Sequence, residues 1–233
     1  MTSKSHTNGG AKEGVPRDVR AIREEIRQFL DTEVPHGKIG NCKFGVYVFY
    51  DYDGEPIYVG QTYETLRQRI GRHLTNQRTD AVAMNVLDPF EVAEIEVWPC
   101  WELTGRGRDM VKVKAHLNAV EYTVFEKVLQ SSSFKAVLNE KDVPPATKVK
   151  LPKSHRHRII PDELYEGRKH PDVRIARRAS TIASLARVIS ERKVSGGLRR
   201  TLVTQARRLE KLATERLRDF ASEISLREEE EEE

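Results

Sequence analysis

The residues best suited to chemistry lie in one short stretch, GVYVFYDYDGEPIYVGQTYETLRQRIGRH, at positions 45–73. Tyr47 and Tyr58 lie on either side of an Asp-Gly turn signal, so the two phenols are expected on one face of a β-hairpin. Arg69 and His73 follow at the i, i+4 spacing of a helix. An arginine fork can bind a phosphate oxygen, and a phenol or an imidazole can exchange a proton. Two half-buried core tyrosines are the structural alternative.

A carboxylate further along the chain could complete such a site. Glu121 lies beside the apolar stripe of a helix predicted from Met110 to Leu129. A carboxylate near an apolar face is unfavourable unless it is paired or metal-bound, although a single helical glutamate usually faces solvent. One Mg²⁺ or Mn²⁺ held there could bind a phosphate oxygen. Glu126 is a weaker candidate because it lies at a different helical angle.

The elements that must position these groups follow from periodicity and turn signals. Phe44 to Tyr50 and Ile57 to Val59 are predicted strands, and the helix after them carries Arg69 and His73. An amphipathic helix after Pro16 is predicted to brace the core. Phe90 to Pro99 and Phe134 to Leu138 are further predicted strands. Trp98 and Trp101 are expected to pack in the core or at a strand edge.

The order of these motifs resembles the GIY-YIG nuclease family, with Gly45-Val46-Tyr47 and Tyr58-Val59-Gly60 as its two triplets, over roughly residues 43 to 139. The resemblance implies an α/β (α+β) fold with a small mixed or antiparallel sheet flanked by helices. It also implies hydrolysis of DNA phosphodiester bonds with one divalent cation, and no small-molecule organic cofactor. The site residues that it implies are Tyr47, Tyr58, Arg69, His73, Glu121 and Asn139.

The same resemblance assigns roles to these residues. Glu121 would be the single metal ligand, and Tyr47 would activate the water while Tyr58 and His73 orient it. The residues themselves leave open whether Tyr47 or His73 takes the proton. The sequence departs from the family pattern at Gln61, where a lysine often follows the second triplet. Asn139 is also further from the glutamate than the pattern usually has it. Lys43 and Arg67 are candidates to replace the missing lysine.

Composition favours a polyanionic partner. The 233 residues carry a formal net charge of +4, which becomes +10 without the six glutamates at positions 228–233. No apolar run approaches the roughly 20 residues of a membrane span, and the N-terminus lacks a signal-peptide core. The two cysteines, Cys42 and Cys100, form no metal-ligand spacing. These features predict a cytoplasmic protein without membrane contact.

The chain divides into five predicted segments: a disordered N-terminus at 1–14, a nuclease domain with its brace helix at 15–142, a basic proline-containing linker at 143–171, a helical hairpin at 172–226 and an acidic tail at 227–233. The linker contains His155 and His157, for which phosphate contact is favoured over zinc, and a solvated linker is the alternative. The arginine-rich hairpin is interpreted as a DNA-binding arm or a homodimerisation surface. Candidate DNA contacts are Arg67, Arg72, Arg106, Arg108, Lys153, Arg156, Arg158, Arg177 and Arg178.

The function that fits these predictions is a compact DNA endonuclease of a restriction or defence system. Three alternatives stay open at this point. A protein of the same fold could bind nucleic acid without cleaving it, or the chain could be a repair or recombination nuclease. A partner-docking protein with core tyrosines and an oligomerising hairpin is the third.

Overall fold

The computed structural model describes residues 16–74, 88–106, 109–139 and 142–231, so the predicted disordered terminus lies outside the described residues. Its α-helices are α1 (Arg17–Leu30), α2 (Leu66–Leu74), α3 (Met110–Ser131), α4 (Asp162–Lys169), α5 (Pro171–Glu191) and α6 (Gly196–Glu231). Its strands are β1 (Glu33–Val34), β2 (Gly37–Lys38), β3 (Gly45–Tyr50), β4 (Pro56–Thr62), β5 (Glu94–Pro99) and β6 (His155–Arg158).

Four strands form the central sheet in the order β4-β3-β5-β6, and every neighbouring pair is antiparallel. β1 and β2 pair separately as a small hairpin. All six residues of β3, GVYVFY, are buried, as expected for a β-branched and aromatic strand with helices on both faces. The prediction of a small antiparallel sheet flanked by helices is therefore confirmed.

The alternation of side chains along β3 gives the sheet two different faces. Tyr47 and Phe49 point into a core shared with α1 and α2. Val46 and Val48 point to the opposite face, where α3 covers them. The amphipathic helix α1 inserts Ile26, Phe29 and Leu30 into the first core, which confirms its predicted role as a brace.

The turn between β3 and β4 is held by its own side chains. Gly54 has a φ of +73°, a conformation that favours glycine, as the Asp-Gly signal predicts. One carboxylate oxygen of Asp51 accepts hydrogen bonds from the backbone N–H groups of Asp53 and Glu55, at 2.9 and 3.0 Å. The turn therefore contains three closely spaced acidic residues, Asp51, Asp53 and Glu55.

Helices α5 and α6 pack together as the predicted C-terminal hairpin. The hairpin docks on the acidic turn because its arginines point inward. Arg174, Arg178 and Arg208 are only 2%, 4% and 2% exposed. Arg178 lies 2.8 Å from Asp51 and 3.3 Å from Glu91. We name the carboxylates Asp51, Asp53, Glu55 and Glu91 with the arginines Arg174, Arg177, Arg178 and Arg208 the buried ion network.

Two sequence predictions need correction. Residues 134–138 do not form a strand, although the Leu138 N–H donates to the Ile57 carbonyl at the open edge of β4. The segment predicted as a linker contains β6, which pairs with β5 as the fourth strand, and the short helix α4. Strand pairing over such a sequence distance is not visible in local periodicity. The five-segment division itself stays a prediction.

The long helices of the described part also bear on the membrane prediction. Within the described residues, no helix combines the length and the apolar character needed to cross a membrane.

Candidate active site

Tyr47 and Tyr58 lie on the same face of the β3–β4 hairpin. Tyr47 pairs with Gly60 across the strands, and Phe49 pairs with Tyr58, so the two tyrosines are diagonal neighbours. Their ring centroids are 6.0 Å apart. This is the arrangement expected from the sequence, since directly paired residues of a hairpin share a face and so do residues two positions along either strand.

Gly60 allows the Tyr47 phenol to lie flat against β4. A Cβ atom built on Gly60 would lie 2.6 Å from the Tyr47 hydroxyl oxygen and 2.7 Å from its Cζ atom. Distances this short do not occur between real side chains and a Cβ, so any other residue would displace the phenol. The glycine of the second triplet is therefore required by the position of the first tyrosine.

Helix α2 brings Arg69 and His73 to the Tyr47 hydroxyl. The hydroxyl oxygen lies 2.9 Å from His73 Nε2, and the Arg69 Nε–H donates to it at 3.2 Å. Tyr47 is 0% exposed and His73 is 3% exposed, so both side chains are buried at this contact. Tyr58 completes the cluster, with its ring centroid 5.1 Å from that of His73.

The protons in this cluster have a preferred arrangement. An arginine only donates, so the Tyr47 oxygen accepts from Arg69. When His73 is neutral with a free lone pair on Nε2, the Tyr47 O–H donates to it. The positive Arg69 beside the phenol oxygen favours loss of that proton. The geometry thus suits transfer of a proton between Tyr47 and His73.

Glu121 lies on α3, at the side of the sheet covered by that helix. Burial raises the pKa of its carboxyl from about 4.5 to about 7, and the nearby Arg69 charge opposes this rise. Burial and the Glu121 charge together raise the pKa of Tyr63. Within the described part of the chain, no cationic side chain lies within 4 Å of the Glu121 carboxylate.

The side chains on the Glu121 face of α3 offer oxygen atoms, the kind of ligand that a divalent cation prefers. Asn118 precedes it by three residues on the same helix face, and the Gln61 amide N–H donates to the Asn118 oxygen at 2.8 Å. The buried Gln61 Oε1 atom makes no hydrogen bond to a described residue. Hard cations such as Mg²⁺ bind oxygen ligands and keep several waters. Among the described residues there is no cluster of three or more His, Cys, Asp or Glu that could bind a metal.

Asn139 binds the edge of β4 rather than the hydroxyl of Tyr47. Its side-chain oxygen accepts from the Val59 N–H at 3.0 Å, and its amide group donates to the Val59 carbonyl at 2.8 Å. The asparagine side chain thus replaces a neighbouring strand beside the second triplet. This contact gives Asn139 a positioning role for Tyr58 and Gly60.

Several predicted DNA contacts are engaged by other groups. Arg67 donates to the Leu30 carbonyl and to the Asp31 carboxylate, which ties α2 to α1. Arg72 forms an ion pair with Glu64. Arg177 and Arg178 belong to the buried ion network, so the prediction of DNA contact is wrong for the buried Arg178. The short-range sequence pattern marked it as polar but could not show which carboxylates it meets.

The other candidates lie at the surface or beyond the described residues. Lys153 is exposed. Arg156 stacks over the Tyr50 ring at 3.8 Å and pairs with Glu94, and Arg158 pairs with Asp162. Arg108 lies outside the described residues, and the side chain of Arg106 does as well. These exposed positions stay predictions.

Sequence reasoning missed Asn118 as part of this site. The available signal was its position one helical turn before Glu121, on the same face of α3. Its link to Gln61, the residue that departs from the family pattern, could only come from the packing of α3 against β4.

Comparison with known proteins agrees with the motifs. Residues 43–108 match the family model described as GIY-YIG catalytic domain. No curated protein and no solved structure matches the chain.

Proposed function

We propose that this chain, whose residues 43–108 match the GIY-YIG catalytic domain, is a metal-dependent endonuclease that hydrolyses phosphodiester bonds in DNA. The single observation that carries the proposal is the Tyr47 hydroxyl, buried between Arg69 and His73. A tyrosine that only filled the core would need one hydrogen-bond partner, and neither an arginine nor a histidine would be required.

The substrate phosphate binds at Arg69. The Arg69 Nε–H is used by Tyr47, while its terminal nitrogens make no hydrogen bond within the described residues. These nitrogens can hold a nonbridging phosphate oxygen and offset the charge that develops on it. Tyr58, which is partly exposed beside His73, lies at the opening of the cluster and orients the attacking water.

The attacking water loses its proton to Tyr47. A phenol with a pKa near 10 is a weak base, so it needs a neighbouring cation to exist as phenolate. Arg69 supplies that cation, and His73 receives the phenol proton. Removing the Tyr47 hydroxyl therefore removes both the base and its link to His73.

Glu121 would hold the divalent cation, with the hydrogen-bonded amides of Gln61 and Asn118 as further polar groups on the α3 side of β4. A bound Mg²⁺ or Mn²⁺ would stabilise the leaving oxygen as a Lewis acid. The buried carboxylate of Glu121 favours such a ligand because a cation removes the unfavourable desolvation of its charge. We propose the restriction or defence category because the chain combines this domain with an arginine-rich helical hairpin.

The direct test is cleavage of supercoiled plasmid with Mg²⁺ or Mn²⁺. Tyr47→Phe and Glu121→Gln are expected to reduce the cleavage rate by at least about 100-fold, because they remove the base and the metal ligand. Glu126→Gln is the matched control on the same helix, where Glu126 pairs with Lys148 at the surface.

Discrete fragments would support a sequence-specific enzyme of restriction type. Nicked or smeared products would point instead to a repair-like nuclease. A wild-type protein that binds DNA but never cuts it, with either metal, would contradict the proposal and leave a nucleic-acid-binding protein.

A further inference from the structure

A cavity of about 750 Å³ lies between the β1–β2 hairpin, the end of β5 and the start of β6. Its walls include Trp101 and His36, whose ring centroids are 5.9 Å apart with a tilt of 35°. Trp101 is partly exposed, in contrast with Trp98, which is 1% exposed in the core. A cavity of this size is within the range of small-ligand sites.

The cavity shares a sheet face with Tyr47. Tyr47 pairs with Val97 on β5, and Val97 pairs with His155 on β6, so the three residues form one row across the sheet. Directly paired residues point to the same face. His155 lines the cavity and lies two strand spacings from Tyr47, a distance on the order of 10 Å.

The cavity is lined by both positive and negative side chains, so a simple anion would not match its charges. Lys153 and His155 lie on one side, and Glu33 and Glu102 are also part of the lining. Burial and the Lys153 charge lower the pKa of His155, which favours its neutral, hydrogen-bonding form near pH 7. A ligand that fits must present a flat apolar surface, hydrogen-bond donors for the carboxylates and a negative group for the lysine.

An unpaired nucleotide has these three properties. Its base can stack on an indole ring, and exocyclic amino groups donate to glutamate carboxylates. Its phosphate can meet Lys153. We propose that this cavity binds one unpaired nucleobase of the DNA substrate, stacked on Trp101, within a few nucleotides of the phosphate at Arg69. The inference rests on the proposed function and names a DNA structure that the enzyme would prefer.

The test is equilibrium binding in EDTA, where no metal supports cleavage. The probes are two duplexes that differ at one position, with a bulged 2-aminopurine nucleotide or with an abasic residue in its place. Wild-type protein is expected to bind the first about 5- to 100-fold more tightly, because base–aromatic stacking contributes that much per base. Stacking on Trp101 is also expected to quench the 2-aminopurine fluorescence.

Substitutions distinguish binding of a base in the cavity from general affinity for DNA. Trp101→Ala is expected to abolish both the preference and the quenching, whereas Trp101→Phe retains them in part. Phe220→Ala is the control, since Phe220 is a half-exposed aromatic residue on α6 far along the chain from the cavity. Lys153→Ala is expected to weaken binding of both duplexes about equally, because it removes a phosphate contact.

Equal affinity of wild-type protein for the two duplexes would overturn the inference. A Trp101→Ala variant that keeps the preference, or a Phe220→Ala variant that loses it, would do the same. These outcomes are distinct from failure of the proposed function. Plasmid cleavage without a preference for the bulged base would support the nuclease proposal and contradict base binding in the cavity. A preference for the bulged base without plasmid cleavage would support base binding and contradict the nuclease proposal.

Discussion

At the scale of single residues, Tyr47 is fully buried and Glu121 is partly buried, and their polar atoms are satisfied to different degrees. The Tyr47 hydroxyl has its hydrogen bonds made by Arg69 and His73. The Glu121 carboxylate has no cation within 4 Å in the described part of the chain, and its burial raises its pKa to about 7. A charge left in this state lowers stability, which is typical of functional sites rather than of structural ones.

The raised pKa of Glu121 predicts a pH-dependent stability effect. Between about 4.5 and about 7 the folded state binds more protons than the unfolded state, so the free energy of unfolding falls as pH rises. The contribution is fully present below about 4.5 and is lost above about 7. Glu121→Gln should therefore stabilise the metal-free protein at pH 8 by on the order of 1–3 kcal/mol, and very little at pH 5.

Thermal unfolding with and without Mg²⁺ checks this prediction. Mg²⁺ is expected to raise the Tm of the wild-type protein at pH 8, where Glu121 is ionised, and to leave Glu121→Gln unchanged. Glu126→Gln should behave as wild type. A glutamine variant that is less stable than wild type at pH 8 would show that the carboxylate has a structural partner.

At the scale of elements, the hairpin and helix α2 work as one unit. β3 places Tyr47, β4 provides space for the phenol at Gly60, and α2 adds the arginine and the histidine at successive turns. Asn139 supports this unit from outside by bonding to both backbone groups of Val59. The active geometry therefore depends on the contact between neighbouring strands more than on either strand alone.

Gly60→Ala tests this dependence. The new methyl group would lie 2.6 Å from the Tyr47 oxygen, so the phenol must move away from Arg69 and His73. We expect cleavage activity to fall about 100-fold or more, since a misplacement near 1 Å has this effect on catalysis. The readout is plasmid cleavage together with circular dichroism.

Gly71→Ala is the matched control for that substitution. It lies in α2, where no heavy atom of the described residues is found within 4 Å of an added Cβ. Alanine is the better helix former by about 1 kcal/mol, so this variant should be as stable as wild type or more stable, and active. Equal activity of both alanine variants would mean that the Tyr47 position is not required.

At the scale of the whole molecule, the buried ion network joins the C-terminal hairpin to the catalytic domain. Arg174 binds both carboxylate oxygens of Asp53, at 2.8 and 2.6 Å, and Arg208 donates to the Pro56 carbonyl at the start of β4. Four carboxylates meet four arginines, so the network is formally neutral. The hairpin is thus held against the turn of the catalytic β-hairpin by ion pairs in which Arg174, Arg178 and Arg208 are buried, while Asp53 is exposed.

Arg178→Met is expected to lower the free energy of unfolding by about 3–5 kcal/mol, because it removes the arginine closest to Asp51 and one of the three beside Glu91, and so leaves an excess of buried negative charge. Arg187→Met, at an exposed position of the same helix, should change it by less than about 0.5 kcal/mol. Urea denaturation measures both. An Arg178→Met protein of normal stability with reduced DNA affinity would instead restore the DNA-contact interpretation.

Sequence alone was sufficient for the features that local rules control. The Asp-Gly turn predicted the hairpin and its positive φ, the positions of Tyr47 and Tyr58 on either side of that turn placed them on one face, and helical spacing stacked Arg69 on His73. The C-terminal helical hairpin was also predictable, because amphipathic periodicity interrupted by Ser195-Gly196-Gly197 depends only on neighbouring residues.

Only the tertiary structure determined the contacts between segments that are far apart in the sequence. It turned Arg174, Arg178 and Arg208 inward, although their pattern resembles that of solvated arginines. It made β6 a strand within a presumed linker, and it left Trp101 partly exposed on a cavity wall. The physical reason is that burial of a charge, or pairing of a strand edge, depends on partners far away in the sequence, and periodicity records only which residues share a face.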